Sequence, residues 1–278
     1  MTVVGAAGAI GVLGTRRLLS AQARAARAAI GKPLGEDAFH PDRTYRRKHG
    51  RPLTLLMLGD SIAAGLGAAR PRHTLGVQLA KQLGTVSGRA VRLVPGAQVG
   101  AETSWLAQQI AASVGEPPPD VAVIVVGGND VTHRVPLAES IADLEDAIRS
   151  LRSRGTSVVV GTCPDLGSLG AVPQPLRRLA GQASRRLAFA QRDATIRSGG
   201  YAVSLSSVVG ADFVAEPDEM FALDRFHPSD RGYRAIAAAM LPSVLASLEL
   251  SSELPSGHHA PSASGTRARW WRGDTSAC

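Results

Sequence analysis

Residues 53–67 read LTLLMLGDSIAAGLG, an apolar run that stops at a glycine and an acid. Leu53, Leu55, Leu56, Met57 and Leu58 leave no polar alternation, which suits a strand buried on both faces. Gly59, Asp60 and Ser61 break the run, and a segment of small residues follows. A serine in that place stands at the end of a strand. Ligands of open α/β sheets bind beyond the carboxyl ends of parallel strands, so such a serine is placed for chemistry. Taken alone, the same residues also describe a strand-to-helix turn in which Asp60 and Ser61 cap the next element.

Outward from this stretch, strands and helices alternate. Strands are expected at 90–94, 121–126, 157–160 and 201–205. Helices are expected at 74–83, 102–112, 137–153, about 174–197 and 229–249. Leu75, Leu79 and Leu83 share one helical face, as do Leu137, Ile141, Leu144, Ile148 and Leu151. The last helix turns Tyr233, Ile236 and Met240 inward and is expected to kink at Pro242. This pattern predicts an α/β domain over 52–250 with a parallel sheet of about five strands covered on both faces. From Ser251 to Cys278 the chain turns rich in Ser, Pro, Gly and Arg and reads as a disordered tail. Trp270 and Trp271, beside Arg269 and Arg272, are its one candidate for a lipid contact.

The charge is unevenly spread. The chain of 278 residues carries a net +8, yet residues 1–51 hold 10 Lys/Arg against 3 Asp/Glu, while residues 52–251 hold 18 of each. A neutral domain gives no reason to expect a nucleic-acid partner. The excess belongs to the leader. Thr2 to Gly14 is uncharged and Arg16 and Arg17 follow, which fits a signal-peptide core or a membrane anchor. Residues 17–31 read as a basic, alanine-rich helix, so a contact of residues 1–31 with a membrane surface and a membrane-associated or exported location are expected. Residues 32–51 read as a linker. Gly5, Gly8 and Gly11 imitate a dinucleotide-binding loop, but no strand precedes them and no acidic residue closes a second strand. Cys163 and Cys278 form neither a disulfide framework nor a zinc pattern, and no cofactor or metal is implied.

Four short motifs fall in loops at the same ends of successive strands: Gly59-Asp60-Ser61, then Gly96 to Gly100, then Gly127-Gly128-Asn129-Asp130, then Asp224-Arg225-Phe226-His227. In a parallel sheet those ends converge, so Ser61 and His227 can meet across the chain. Their types suit acyl transfer. A serine hydroxyl needs a base to take its proton, the base needs a carboxylate to orient it, and the oxyanion needs donors already in place. His227, Asp224, and the Ser61 amide, Gly100 amide and Asn129 side chain are the candidates. The bland alternatives are a turn capped by Asn129, loop stabilisation by Asp60 and Asp130, and surface positions for His73 and His133. Asp224 and His227 alone are too few ligands for a metal.

The ordered set resembles the SGNH (GDSL-type) hydrolase superfamily of serine esterases and lipases over roughly residues 53–248. The resemblance implies a flavodoxin-like three-layer α/β/α sandwich and a Ser61–His227–Asp224 triad. It also implies an oxyanion hole of Ser61, Gly100 and Asn129. Two departures stand out. Val94-Pro95-Gly96 replaces a block that often starts with asparagine, which leaves Gly96 as a rival to Gly100. Arg225 stands where a glycine is common and would put a cation at the mouth of the site. Few aromatics, 4% of the chain, and no evident lid suggest a small open site for a small-molecule ester with a short acyl chain. A lysophospholipase or thioesterase is the alternative within enzymes, and a membrane-tethered binding protein the alternative outside them.

Overall fold

A computed structural model of the chain describes residues 3–31, 38–46 and 52–262. Its sheet is built from β1 (Arg43–Tyr45), β2 (Leu53–Gly59), β3 (Val91–Pro95), β4 (Val121–Val125), β5 (Ser157–Gly161), β6 (Tyr201–Val203) and β7 (His258–His259). The spatial order is β1-β3-β2-β4-β5-β6-β7. The five strands β2 to β6 pair in parallel, and the short edge strands β1 and β7 run antiparallel to their neighbours. Those five are the strands expected from the hydrophobic runs. Counted along the chain they lie in the order 2-1-3-4-5, the flavodoxin-like arrangement with its switch point between β2 and β4.

The helices are α1 (Val3–Ile30), α2 (Ser61–Ala64), α3 (Leu75–Ser87), α4 (Leu106–Ser113), α5 (Gly128–His133) and α6 (Leu137–Ser153). They continue with α7 (Leu176–Arg197), α8 (Leu205–Val208), α9 (Gly210–Ala215), α10 (Pro217–Met220) and α11 (Asp230–Ser247), which runs on through Pro242. Parallel crossovers are right-handed, so reversing the direction of travel at the switch point moves the helices to the opposite face. Accordingly α3 and α11 cover one face, and α4 and α6 cover the other. Leu55 and Met57 feed the first layer, Leu56 and Leu58 the second, each at 1% exposure or less. Each such side chain contributes about 1.5–3 kcal/mol by leaving water, which makes β2 the spine of the molecule.

Both predicted boundaries of the domain move outward. β1 lies in the expected linker, where Arg43 to Tyr45 pair with Leu93 to Val91 and Asp42 pairs with Arg92. Three residues are too few to show a period in the sequence. Beyond Ser251, His258 and His259 pair with Val203 and Ala202, and His258 is held by the Ser243 hydroxyl at 2.8 Å. Composition favours disorder there, but a sheet edge supplied partners that composition does not register. Residues 263–278, with Trp270 and Trp271, lie outside the described residues, as do residues 32–37 and 47–51.

The leader forms the single helix α1, so Gly5, Gly8 and Gly11 stand in no strand-turn-helix. Among the described residues no helix is long and apolar enough to cross a membrane. The end of α1 docks on the body: Ala26 packs with Leu166, Leu169 and Val172, and Gln22 bonds the backbone at Gln174 and Leu176.

Tyr233 on α11 is fully buried, and its hydroxyl donates to the Leu66 carbonyl at 2.6 Å. Burial pushes that hydroxyl well above its ordinary pKa, so it stays a donor. Tyr233→Phe leaves the carbonyl without its partner and should lower unfolding free energy by about 1–3 kcal/mol in urea titration. An unchanged midpoint would show that this bond carries no weight.

Candidate active site

The site is assembled at the carboxyl ends of β2 and β4, beside the switch point. Gly59 ends β2 with a φ of +123°, and a Cβ there would lie 1.9 Å from the Val125 carbonyl oxygen, so no other residue fits. The tight approach turns the chain sharply. Asp60 then caps α2, its carboxylate accepting from the Ile62 amide at 3.0 Å, and Ser61 begins the helix with its side chain toward the cleft.

His227 arrives from the other end of the chain. It sits on a narrow loop in which Ala222 donates to the His227 carbonyl at 2.8 Å. Two residues later Ser229 caps α11, accepting from the Arg231 and Gly232 amides. A Cβ on Gly67 would lie 2.5 Å from the Pro228 carbonyl and 3.0 Å from His227 Cβ, so glycine is what lets the two loops touch. His227 Nε2 stands 3.0 Å from Ser61 Oγ, and its Nδ1 stands 2.6 Å from Asp224 Oδ2. The other carboxylate oxygen of Asp224 accepts from the Phe226 and His227 amides, each at 3.0 Å. Burial raises the Asp224 pKa, but the hydrogen bonds from His227 and the two amides outweigh it and the net shift is downward. An ionised carboxylate can only accept, so the Nδ1 proton of His227 faces Asp224 and Nε2 is free to accept from the serine.

Asn129 lies on the first turn of α5, just after β4, and lines the same cleft as Ser61. One of its amide hydrogens is held by the Ala101 carbonyl at 3.0 Å, which leaves the second to donate elsewhere. The Gly96 amide is committed to the Met57 carbonyl at 2.8 Å, whereas the Gly100 amide has no acceptor among the described residues. Asp130 is 2% exposed and accepts from the Thr103 amide, tying the Asn129 loop to the segment after Gly100. His133 pairs with Glu102 and His73 with Asp230, both away from the triad. Arg225 is not at the mouth of the site. Its side chain is 73% exposed and reaches Asp218 at 3.2 Å, and its φ of +53° explains why a glycine suits this position.

Two residues that matter escaped the sequence reading. Gln109 on α4 is buried and grips Gly59 by both its amide and its carbonyl, at 2.8 and 2.9 Å. Gln191 on α7 is buried too, accepting from the Cys163 amide at 2.7 Å and donating to the Val126 carbonyl at 3.0 Å. Each staples the end of a strand. The signal was a polar residue on an otherwise apolar stripe: Gln109 between Leu106 and Ile110, Gln191 between Leu187 and Ala194.

The cleft is larger than composition suggests, at about 680 Å³. The loop after β5 and the helices α7, α8 and α9 raise its walls, and Phe213, Phe221 and Phe226 line it. Five phenylalanines make a poor average over 278 residues, but three of them are gathered here.

Asp60 is wholly buried, and desolvation pushes its carboxyl up to about 6 against the pull of the Ile62 and Gly128 amides and of His227. A raised pKa means the folded protein keeps a proton that the unfolded chain has released. Relative to Asp60→Asn, wild-type stability should therefore fall as pH rises from about 4 to about 6, by about 3 kcal/mol in all. The variant should also lose about 10- to 100-fold in kcat, since an amide cannot accept from both backbone groups. A pH-independent difference in stability would contradict this.

The comparisons with known proteins agree with this geometry. A family model described as the GDSL-like Lipase/Acylhydrolase family matches residues 57–235. The chain is 39% identical over 264 residues to the GDSL-like esterase Rv1075c of Mycobacterium tuberculosis, covering 91% of this chain and 84% of that protein. Two solved structures share the fold. The lipase Lip_vut3 from a goat rumen metagenome has a TM-score of 0.56 at 18% identity, over 69% of this chain and 97% of its own. The acetylxylan esterase Axe2 of Geobacillus stearothermophilus has a TM-score of 0.53 at 21% identity, over 73% of this chain and 97% of its own. By sequence, then, the chain belongs to the GDSL-like lipase/acylhydrolase family.

Proposed function

We propose that the protein hydrolyses carboxylic esters through an acyl-enzyme formed on Ser61. The observation that carries this is the unbroken chain from Ser61 Oγ through His227 to Asp224, at 3.0 and 2.6 Å. The esterase name of the mycobacterial relative supports the same chemistry.

Ser61 Oγ attacks the ester carbonyl while His227 Nε2 takes its proton, and a carbon–oxygen bond forms. The carbonyl oxygen becomes an oxyanion facing the Ser61 and Gly100 amides and the spare N–H of Asn129. His227 returns the proton to the departing alcohol oxygen as the old ester bond breaks. Water, deprotonated by the same imidazole, then attacks the acyl-serine and releases the acid. Asp224 holds the ring in one tautomer and stabilises it while it is charged. Asp60 reacts with nothing: it positions Ser61 and Asn129 relative to one another.

The low aromatic content points to short acyl groups, whereas the mostly apolar wall of the cleft supports a preference for longer ones. Each methylene buried in the transition state contributes at most about 0.8 kcal/mol, or about fourfold in kcat/KM. Across 4-nitrophenyl esters from acetate upward, kcat/KM should rise with chain length until the cleft is full. Ser61→Ala should abolish it throughout, by a factor approaching the roughly million-fold loss known for a triad serine. A maximum at acetate would contradict the acyl assignment, and a Ser61→Ala protein with most of its activity would contradict the mechanism.

A further inference from the structure

The first turn of α7 carries Arg177 and Arg178, and both line the cleft together with Arg185. Two acidic residues line it as well, Asp60 and Asp165. Asp165 is taken by Arg185 at 2.8 Å, and Asp60 is buried beside the nucleophile with backbone amides as its partners. Arg177 and Arg178 have no acidic partner among the described residues, whereas Arg192 and Arg197 on the outer surface of the same helix pair with Asp193 and Glu145. Among the described residues the rim of the cleft therefore holds two positive charges without acidic partners.

The turn that carries them is held from several sides. Arg177 donates its amide to the Pro173 carbonyl at 3.0 Å, and Arg178 donates its amide to Gln174 Oε1 at 3.2 Å. Gln22 of α1 accepts from the Leu176 amide at 3.1 Å and donates to the Gln174 carbonyl. A basic stretch is usually just a solvated face, but this one is braced and turned toward an apolar cavity. An apolar wall beside an uncompensated cationic rim matches an amphiphile with one negative end.

We propose that Arg177 and Arg178 form an anion subsite, selecting esters that carry a carboxylate, sulfonate or phosphate away from the carbonyl under attack. The subsite rests on the esterase reading of the same cleft. Guanidinium groups suit such anions because their paired N–H groups meet two oxygens at once.

The test compares three octanoyl-length substrates on the full chain. They are 4-nitrophenyl octanoate (neutral), 4-sulfophenyl octanoate (anion on the alcohol side) and mono-4-nitrophenyl suberate (anion on the acyl side). In Arg177→Ala/Arg178→Ala the ratio of anionic to neutral kcat/KM should fall about tenfold for one of the two anionic esters. High salt should erode the wild-type ratio in the same way. The Arg177→Lys/Arg178→Lys protein should keep most of the preference, since it keeps the charge. Which anionic ester responds shows which side of the ester faces the rim, and either supports the subsite. Ratios within about twofold of wild type for both would overturn it. If the wild-type protein turns over none of the three esters, the esterase reading falls by itself. Calorimetric binding of octyl phosphate then reads the subsite without turnover, and equal affinity in wild type and the double-alanine variant would overturn it.

Discussion

A 3.0 Å contact between Ser61 Oγ and His227 Nε2 joins side chains that 166 positions separate, and the architecture is what holds them there. β2 ends under a glycine that only an unsubstituted Cα permits, Gln109 grips that glycine by both backbone groups, and Gly67 lets the following loop touch the histidine loop. On the far side, Asp224 accepts from two amides of its own loop before it accepts from the imidazole. The carboxylate thereby fixes the loop and the ring together. The hydrogen-bonded chain of Ser61, His227 and Asp224 is a property of two strand-end loops and a closing helix, bound to each other by a handful of polar contacts in an otherwise apolar frame.

That frame explains why so much was legible in advance. The five parallel strands announce themselves because strands buried on both faces are near-continuous apolar runs, as β4 is throughout and β2 is but for Thr54. The convergence of Ser61, Asn129, Asp224 and His227 was legible because parallel strands deliver their trailing loops to one edge of a sheet. Arg225 misled for a conformational reason: a positive φ aims its side chain toward Asp218 and solvent instead of the cleft. β1 and β7 were hidden because a pairing of two or three residues at a sheet edge leaves no period to read. Gln109 and Gln191 were hidden in helices whose apolar stripes they interrupt, and what they bond is set by tertiary structure. The size of the cleft was hidden for another reason. It depends on where three phenylalanines gather, and composition averages that away.

The cleft and its rim connect the leader to the chemistry. The end of α1 packs on the loop between β5 and α7 that forms part of the cleft wall. Its Gln22 bonds the turn from which Arg177 and Arg178 project. A segment that reads from sequence as a signal-peptide core or membrane anchor also braces the wall of the cleft. The neutral charge of residues 52–251 conceals the same point, since of the three arginines lining the cleft only Arg185 has an acidic partner among the described residues.

The most direct measurement of the central claim is covalent. A fluorophosphonate reacts with a serine only when a neighbouring base removes its proton and donors receive the developing charge, so it reads the whole arrangement at once. Peptide mapping of the labelled protein should place the adduct on Ser61, with labelling abolished in His227→Ala. Labelling on another serine, or undiminished labelling without His227, would contradict the account.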